Sequence, residues 1–326
     1  MNQRPGGDRT TAVADTPRRR DRPTRREFLG YAAAFTAGLG LAGTVAGCGD
    51  GDVPVIRLAA GEVGGFYHAF AQLLSRVAAD GGLRIDPITT AGSLENLSLL
   101  AAGDADAALV LADSITSNQE PPPAIGRVYE NYLQVAVRAD GRLGSVADLR
   151  GARINLGAAG SGATRTGEKL LLAAGLALSE LTITHLPLRE AAEALLAGRL
   201  DALLWAGGVP TPALADQRLR LLDLGALTTP MRDRFGYLYD PVLIPAGTYP
   251  GSAAVQTIGV ANLLVAAAGL AEQTAAALTR LLLTRAEALI PAEAAGTQFL
   301  TARSLIGTGT VPLHPGAAAV YREFHG

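Results

Sequence analysis

The densest set of groups able to do chemistry lies at Gly157-Ala158-Ala159-Gly160-Ser161-Gly162-Ala163-Thr164-Arg165. Ser161 and Thr164 are helix N-cap residue types, and the glycines let a ligand approach the backbone closely. Amide N–H groups at a helix start, together with the positive end of the helix dipole, suit a carboxylate or a phosphate. A phosphate-binding Walker loop would continue with Lys and Ser or Thr after Gly160-Ser161-Gly162; this chain does not. Catalytic signatures are weak elsewhere. The four histidines, His68, His185, His314 and His325, form no metal-ligand spacing, with or without Cys48, the single cysteine. His68 follows Tyr67 beside a glycine turn, whereas His185 reads as a structural residue at a strand end. Glu62, Asp113 and Asp240 fall near loops without acid–base pairing. A hydrolase using Ser161 with His185 is the enzymatic alternative. The pattern favours binding over catalysis and calls for no cofactor and no metal.

The elements that must position these groups alternate. Residues 55–60, 84–89 and 107–111 read as strands. A helix starting just after Gly64-Gly65 repeats apolar residues at Phe66, Phe70, Leu73, Leu74 and Val77. A second runs from Ser93 to a terminating Gly103. Further strands are expected at 133–138, at Ile154, at 202–204, 219–224 and 258–265. Helices are expected from Gly162 to Leu172, over 270–290 and over 292–305, and residues 237–244 read as an extended segment that crosses back to an earlier lobe. Strand–helix alternation of this kind marks an α/β protein with a mainly parallel sheet.

The pattern occurs twice. Gly-x-x-Asp-Ala-x-Leu stands at Gly103–Leu109 and again 95 residues later at Gly198–Leu204, each after an Ala/Leu-rich helix end. Two similar α/β lobes are the economical reading. Ligand-facing loops then follow the strand C-termini at 61–67, 92–96, 113–114, 157–165 and 207–211. A cleft between the lobes would be ringed by helix starts and small hydroxyls, a geometry for a small anion or zwitterion.

Composition narrows the class. The 326 residues are 48% hydrophobic and 18% charged, with 39 glycines and a net charge of −2, which gives no basis for nucleic-acid binding. Arginine-rich residues 1–27 lead into an Ala/Gly-rich apolar run over 28–47, which stops at Val45-Ala46-Gly47-Cys48. That order is the order of a secretory signal. Arg25-Arg26-Glu27-Phe28-Leu29 resembles a twin-arginine export motif, and the small residues before Cys48 resemble a lipobox. Residues 1–47 are therefore expected to be a removed signal peptide, and 48–53 a linker lipidated at Cys48 and anchored outside the cell membrane. The alternative is a retained N-terminal membrane anchor.

Seven stations in order carry a family resemblance. They are Gly64-Gly65-Phe66-Tyr67, Thr90-Ala91-Gly92-Ser93-Leu94-Glu95-Asn96, the stretch from Ser145 to Gly151, Gly160-Ser161-Gly162, and Gly207-Gly208-Val209-Pro210-Thr211. Ile244-Pro245-Ala246-Gly247-Thr248-Tyr249 and Pro312-Leu313-His314-Pro315-Gly316-Ala317 complete the set. The chain resembles the TAXI family of solute-binding proteins, which serve tripartite ATP-independent periplasmic (TRAP) transporters. The resemblance implies a type II periplasmic-binding fold, with two α/β lobes, two crossing segments and a ligand between them. It implies lobe 1 over 54–138 plus 242–326, and lobe 2 over 139–241. It also implies capture of a small carboxylate, glutamate-like or a related organic acid, and delivery to the membrane permease of a TRAP transporter. An ATP-driven importer and a ligand-binding sensor lipoprotein are the alternatives. Phe66, His68 and Ala163 depart from the family pattern. On this reading Ser93, Asn96, Ser161 and Thr164 are hydrogen-bond donors, and Gly162 and Gly208 offer backbone N–H groups. Gly65 and Asp113 lie in ligand-facing loops, Tyr67 and Tyr237 serve as aromatic walls, and Arg165 is the counter-charge.

Overall fold

A computed structural model describes residues 55–115, 120–291 and 301–325. The signal and Cys48 lie outside the described residues. The first strand, β1 (Val55–Ala59), leads into helix α1 (Phe66–Asp80), followed by β2 (Arg84–Ile88), α2 (Ser93–Ala102) and β3 (Ala107–Leu111). The long strand β4 (Ala124–Arg138) comes next. The pattern then repeats as β5 (Arg153–Asn155), α3 (Gly162–Ala173), β6 (Thr182–Thr184), α4 (Leu188–Leu196) and β7 (Ala202–Gly207). Strand β8 (Leu219–Leu221), α5 (Thr228–Phe235), β9 (Tyr239–Ile244) and a second long strand, β10 (Val255–Ala266), precede α6 (Glu272–Thr284), α7 (Ala302–Leu305) and α8 (Pro315–His325).

The strand path is β2-β1-β3-β10-β4-β7-β5-β6. It reads alike from both ends: second, first and third strand of a parallel set, then the long antiparallel strand that arrives from the other half. Two α/β lobes are thus built by one rule, and β4 and β10 exchange places between them. They pair with each other from Gly259 opposite Tyr132 to Val265 opposite Ala124, with irregularities after Asn262 and Leu264. This is the type II periplasmic-binding arrangement.

The repeated sequence motif has a repeated physical role. Arg57, on β1, donates through its amide and guanidinium to Asp106 at 2.8–3.0 Å and to the Gly103 carbonyl at 2.8 Å. Arg153, on β5, makes the same set to Asp201 at 2.7–3.0 Å and to the Gly198 carbonyl at 2.9 Å. Each aspartate carboxyl is held below the usual carboxylate range, chiefly by its arginine's hydrogen bonds. The Gly and Asp of the motif therefore fasten the start of one strand to the turn before another.

Cores form on both faces of each half-sheet. In the first lobe Phe70, Leu74, Leu109, Ile125 and Tyr321 pack on one face, and Leu100, Val110, Leu263 and Val265 on the other. In the second, Ile154, Leu170, Leu204 and Met231 oppose Leu188, Leu195, Leu203 and Trp205. Some expected elements change. The strand expected at 133–138 begins at Ala124, because the aromatic and polar run Tyr129-Glu130-Asn131-Tyr132 is buried within it. Residues 237–244 do not cross between lobes. Residues 239–244 form β9, which folds back antiparallel along β10 and places Tyr239 in the second lobe's core. Helix α5 had no sequence counterpart, and the helix expected over 292–305 is described only as the single turn α7.

Candidate functional site

The loops after the parallel strands meet across the seam between the lobes. Gly92, the N-cap of α2, has φ 124°, a conformation open to glycine, and a Cβ there would stand 3.5 Å from Ser161 Cα. At Gly162 a Cβ would lie 2.5 Å from Ser93 Oγ and 2.8 Å from Leu111 Cδ1. These two glycines let the start of α2 touch the start of α3. The amides of Leu94 and Glu95 donate to the Gly160 carbonyl at 3.0 and 3.1 Å. The second lobe's loop thus caps the first lobe's helix. The reciprocal contact exists as well: Glu62, after β1, accepts from the Leu188 amide at the start of α4 at 3.3 Å. A carboxylate at a helix N-terminus is electrostatically favoured.

Deeper in the seam, Asp113 is buried and receives Thr166 Oγ1 at 2.8 Å, Tyr239 Oη at 3.1 Å and Lys169 Nζ at 3.4 Å. Lys169 also donates to the Asp113 carbonyl at 2.8 Å. Asp113 therefore joins the first lobe to α3 and β9 as a latch and lines neither space described below.

Two spaces lie beside these contacts. An outer cleft of about 870 Å³ runs between the loop of Glu62–Ala69 on one side and Pro187–Glu193 and Gly208–Ala213 on the other. It shares Glu62, Gly65, Phe66 and Trp205 with a smaller chamber of about 40 Å³, which adds Tyr67, Ser93, Asn131, Ser161, Gly162 and Ala163. The chamber has room for a few waters at most. Tyr67 Oη lies 3.1 Å from Ser93 Oγ, which also accepts from the Leu111 amide at 3.0 Å. Burial pushes the Tyr67 hydroxyl well above its ordinary range, so it stays a neutral donor and acceptor. Burial also raises the Glu62 carboxyl, opposed by the Leu188 amide and reinforced by the charge of Glu190.

The seam brings together Gly65, Tyr67, Ser93, Ser161 and Gly162 around the chamber, and Gly208 with Gly65 along the cleft. Other expected residues are elsewhere. Asn96 is fully buried: its Nδ2 donates to the Ala60 and Leu109 carbonyls at 2.6 and 2.7 Å, and its Oδ1 accepts from Thr90. It ties the ends of β1 and β3 to α2 and lines neither space. Thr164 turns back onto its own loop, with Oγ1 3.2 and 3.3 Å from the Leu156 and Ala158 carbonyls. Arg165 lines a different groove, with Leu94, Leu97 and Pro121–Pro123. Tyr237 is 89% exposed and lies under the Arg232 guanidinium, so it walls neither space. His185 Nδ1 approaches the Gly157 carbonyl at 3.3 Å and Thr164 Oγ1 at 3.5 Å rather than Ser161. Sequence reasoning missed Asn131 and Trp205 as lining residues, and Lys169. The spacing of Lys169 from Ser161, two turns into α3, was the one available signal for the latch.

A family model described as the NMT1-like family matches residues 58–324. The chain belongs to the NMT1-like family. The match takes in both lobes, both long strands and every residue of the cleft. In three dimensions this NMT1-like chain is similar to the periplasmic aliphatic sulphonate binding protein SsuA from Escherichia coli, at 17% identity over 72% of each chain and a TM-score of 0.44. It is also similar to a protein of Bordetella bronchiseptica RB50, at 19% identity over 72% of this chain and 70% of that one, TM-score 0.48. An ancestral arginine-binding protein bound to arginine gives 14% identity over 70% of this chain and 90% of that one, TM-score 0.46.

Proposed function

We propose that the protein is a solute receptor that closes its two lobes on a small molecule and does not transform it. The observation that carries this reading is the reciprocal closure of the seam. Gly160 of the second lobe caps α2 of the first, and Glu62 of the first caps α4 of the second, beside a chamber that shares part of its wall with the cleft. Such contacts can be exchanged for contacts to a ligand: a carboxylate replaces the Gly160 carbonyl at the Leu94 and Glu95 amides, or takes the start of α3 at Gly162 and Ala163.

The finer reading follows the TAXI resemblance. The ligand carries a carboxylate, the closed receptor is delivered to a TRAP-type permease, and lipid on Cys48 after a twin-arginine signal holds the protein outside the membrane. The strand pairing moves the lobe boundaries from the expected 138/139 and 241/242 into the paired middle of β4 and β10. The test is a thermal-shift screen of the mature domain over amino acids and small organic acids, with small-angle scattering on any hit. A ligand at ~100 times its dissociation constant raises stability by about 2.7 kcal/mol. The reading fails when no member stabilises the domain, or when a stabilising ester or amide is turned over.

A further inference from the structure

On the capture reading above, we propose that Tyr249 and Gln134 are positioning residues for the solute. From behind, they hold the 208–211 stretch of the cleft wall at the place where Phe66 of the first lobe closes on it.

That stretch follows β7, and Pro210 together with the neighbouring Pro212 brings no N–H to anchor it. Two distant segments reach it instead. Gln134 lies on β4 directly opposite Trp205 of β7, so the two side chains share one face of the sheet. Tyr249 lies in the turn between β9 and β10, where the Gly247 amide donates to the Ser252 carbonyl at 3.0 Å. The Thr211 amide donates to Tyr249 Oη at 2.8 Å, and Tyr249 Oη donates to Gln134 Oε1. Gln134 Nε2 donates to the Gly208 carbonyl at 3.3 Å and to Thr211 Oγ1 at 3.1 Å. Thr211 Oγ1 completes the set by donating to the Gly208 carbonyl at 2.8 Å. An amide N–H can only donate and a carbonyl can only accept, so these two wall groups fix the direction of every bond between them.

Tyr249, Gln134 and Thr211 are all buried, and Tyr249 packs in the same apolar cluster as Val209, Leu214 and Ile244. In such surroundings a network with one member removed leaves its other members without partners. Burial also raises the Tyr249 hydroxyl above its ordinary range, against the pull of the Thr211 bonds, so its proton stays available to Gln134. The front of the wall shows why its position matters. Gly208, Pro210 and Thr211 line the cleft. At Gly208 a Cβ would stand 2.5 Å from two ring carbons of Phe66, the first residue of α1. The first lobe thus rests directly on the backbone that Gln134 and Tyr249 hold. A shift of this stretch changes the width of the cleft and the seat of Phe66 together.

Tyr249→Phe removes one oxygen and keeps the ring, and three readouts test its effect. Hydrogen exchange follows the backbone over 208–215. Acrylamide quenching follows Trp205, the single tryptophan of the chain, which lines the cleft. Calorimetric titration uses L-glutamate, or the tightest solute of the wider screen where wild type does not take glutamate. The variant should exchange over 208–215 about tenfold faster, expose Trp205 to more quenching and bind the solute about tenfold more weakly. Gln134→Met should act in the same direction, and the double variant should lose less affinity than the product of the two single losses. Tyr321→Phe is the control: it removes a buried hydroxyl that donates to the Ile125 carbonyl at 2.9 Å, and should lower stability while leaving all three readouts at wild type. Wild-type exchange and quenching in Tyr249→Phe, or wild-type affinity, overturns the inference while the capture reading survives. Failure of every solute in the wider screen overturns capture, and this inference with it.

Discussion

Gly162→Ala asks whether the seam between the lobes is a working joint. Gly162 is the first residue of α3 and has an ordinary helical backbone, so within the second lobe alone a methyl group is no hindrance and improves helix propensity. Across the seam, the methyl carbon would lie 2.5 Å from Ser93 Oγ, 2.8 Å from Leu111 Cδ1 and 2.9 Å from Ser93 Cβ. Ordinary contact begins near 3.4 Å, so the lobes must part by up to about an ångström. Ser93 cannot swing aside cheaply, because its Oγ is engaged by the Leu111 amide and Tyr67 Oη. Overpacking of this kind costs about 1–3 kcal/mol. The cost falls on the closed arrangement alone, so a ligand that binds it should lose roughly 5- to 150-fold in affinity. Calorimetric titration of wild type and variant with the best screened ligand gives the affinity ratio, and small-angle scattering gives the radius with and without ligand. Equal affinity and an equal ligand-induced contraction would refute the reasoning, since the methyl would then have met no neighbour.

Three further outcomes are expected. Asn96→Ala removes its side-chain hydrogen bonds to the Ala60 and Leu109 carbonyls and should lower unfolding stability by about 3 kcal/mol in urea titration; a change below 1 kcal/mol would show the staple to be dispensable. Glu130 lies buried between the crossing strands, and burial pushes its carboxyl up to about 7 against the pull of Arg127. Between the ordinary 4.5 and about 7 the folded protein keeps a proton that the unfolded chain has released, so this group's stabilisation is present at low pH and lost as pH rises through that window. Glu130→Gln should therefore gain on wild type by about 3 kcal/mol between pH 4.5 and 8 in parallel denaturation series, and a pH-independent difference would exclude the mechanism. Arg165→Ala and Tyr237→Ala, both outside the cleft and chamber, should leave ligand affinity within about twofold of wild type; a tenfold loss in either would return that residue to the site.

The legible parts of the sequence were those with local physical signatures. The strand–glycine–helix alternation disclosed both lobes, and Gly-x-x-Asp-Ala-x-Leu disclosed the duplication, because the Arg–Asp fastening it serves is needed once per lobe. Gly65, Ser93, Ser161 and Gly162 were readable as chamber residues because helix starts announce themselves by small and hydroxyl side chains. Asn96 shows the limit of that logic: the same residue type at the same helix start serves backbone carbonyls within its own lobe. Asn131 and Trp205 were invisible for the opposite reason. They sit inside buried strands, where only the pairing of distant segments turns a side chain toward the seam. Arg165 could be placed one helical turn from the loop, but not on a face, and the face decides which groove it enters.

The exchange of β4 and β10 bears on how the molecule comes apart. Each long strand is central to one lobe's sheet and continues into the other's. Neither lobe can melt while its neighbour stays whole, because losing one removes an interior strand from the other. Heat should therefore produce a single endotherm with matching calorimetric and van't Hoff enthalpies, although the chain holds two separate cores. In denaturation the two lobes are one cooperative body.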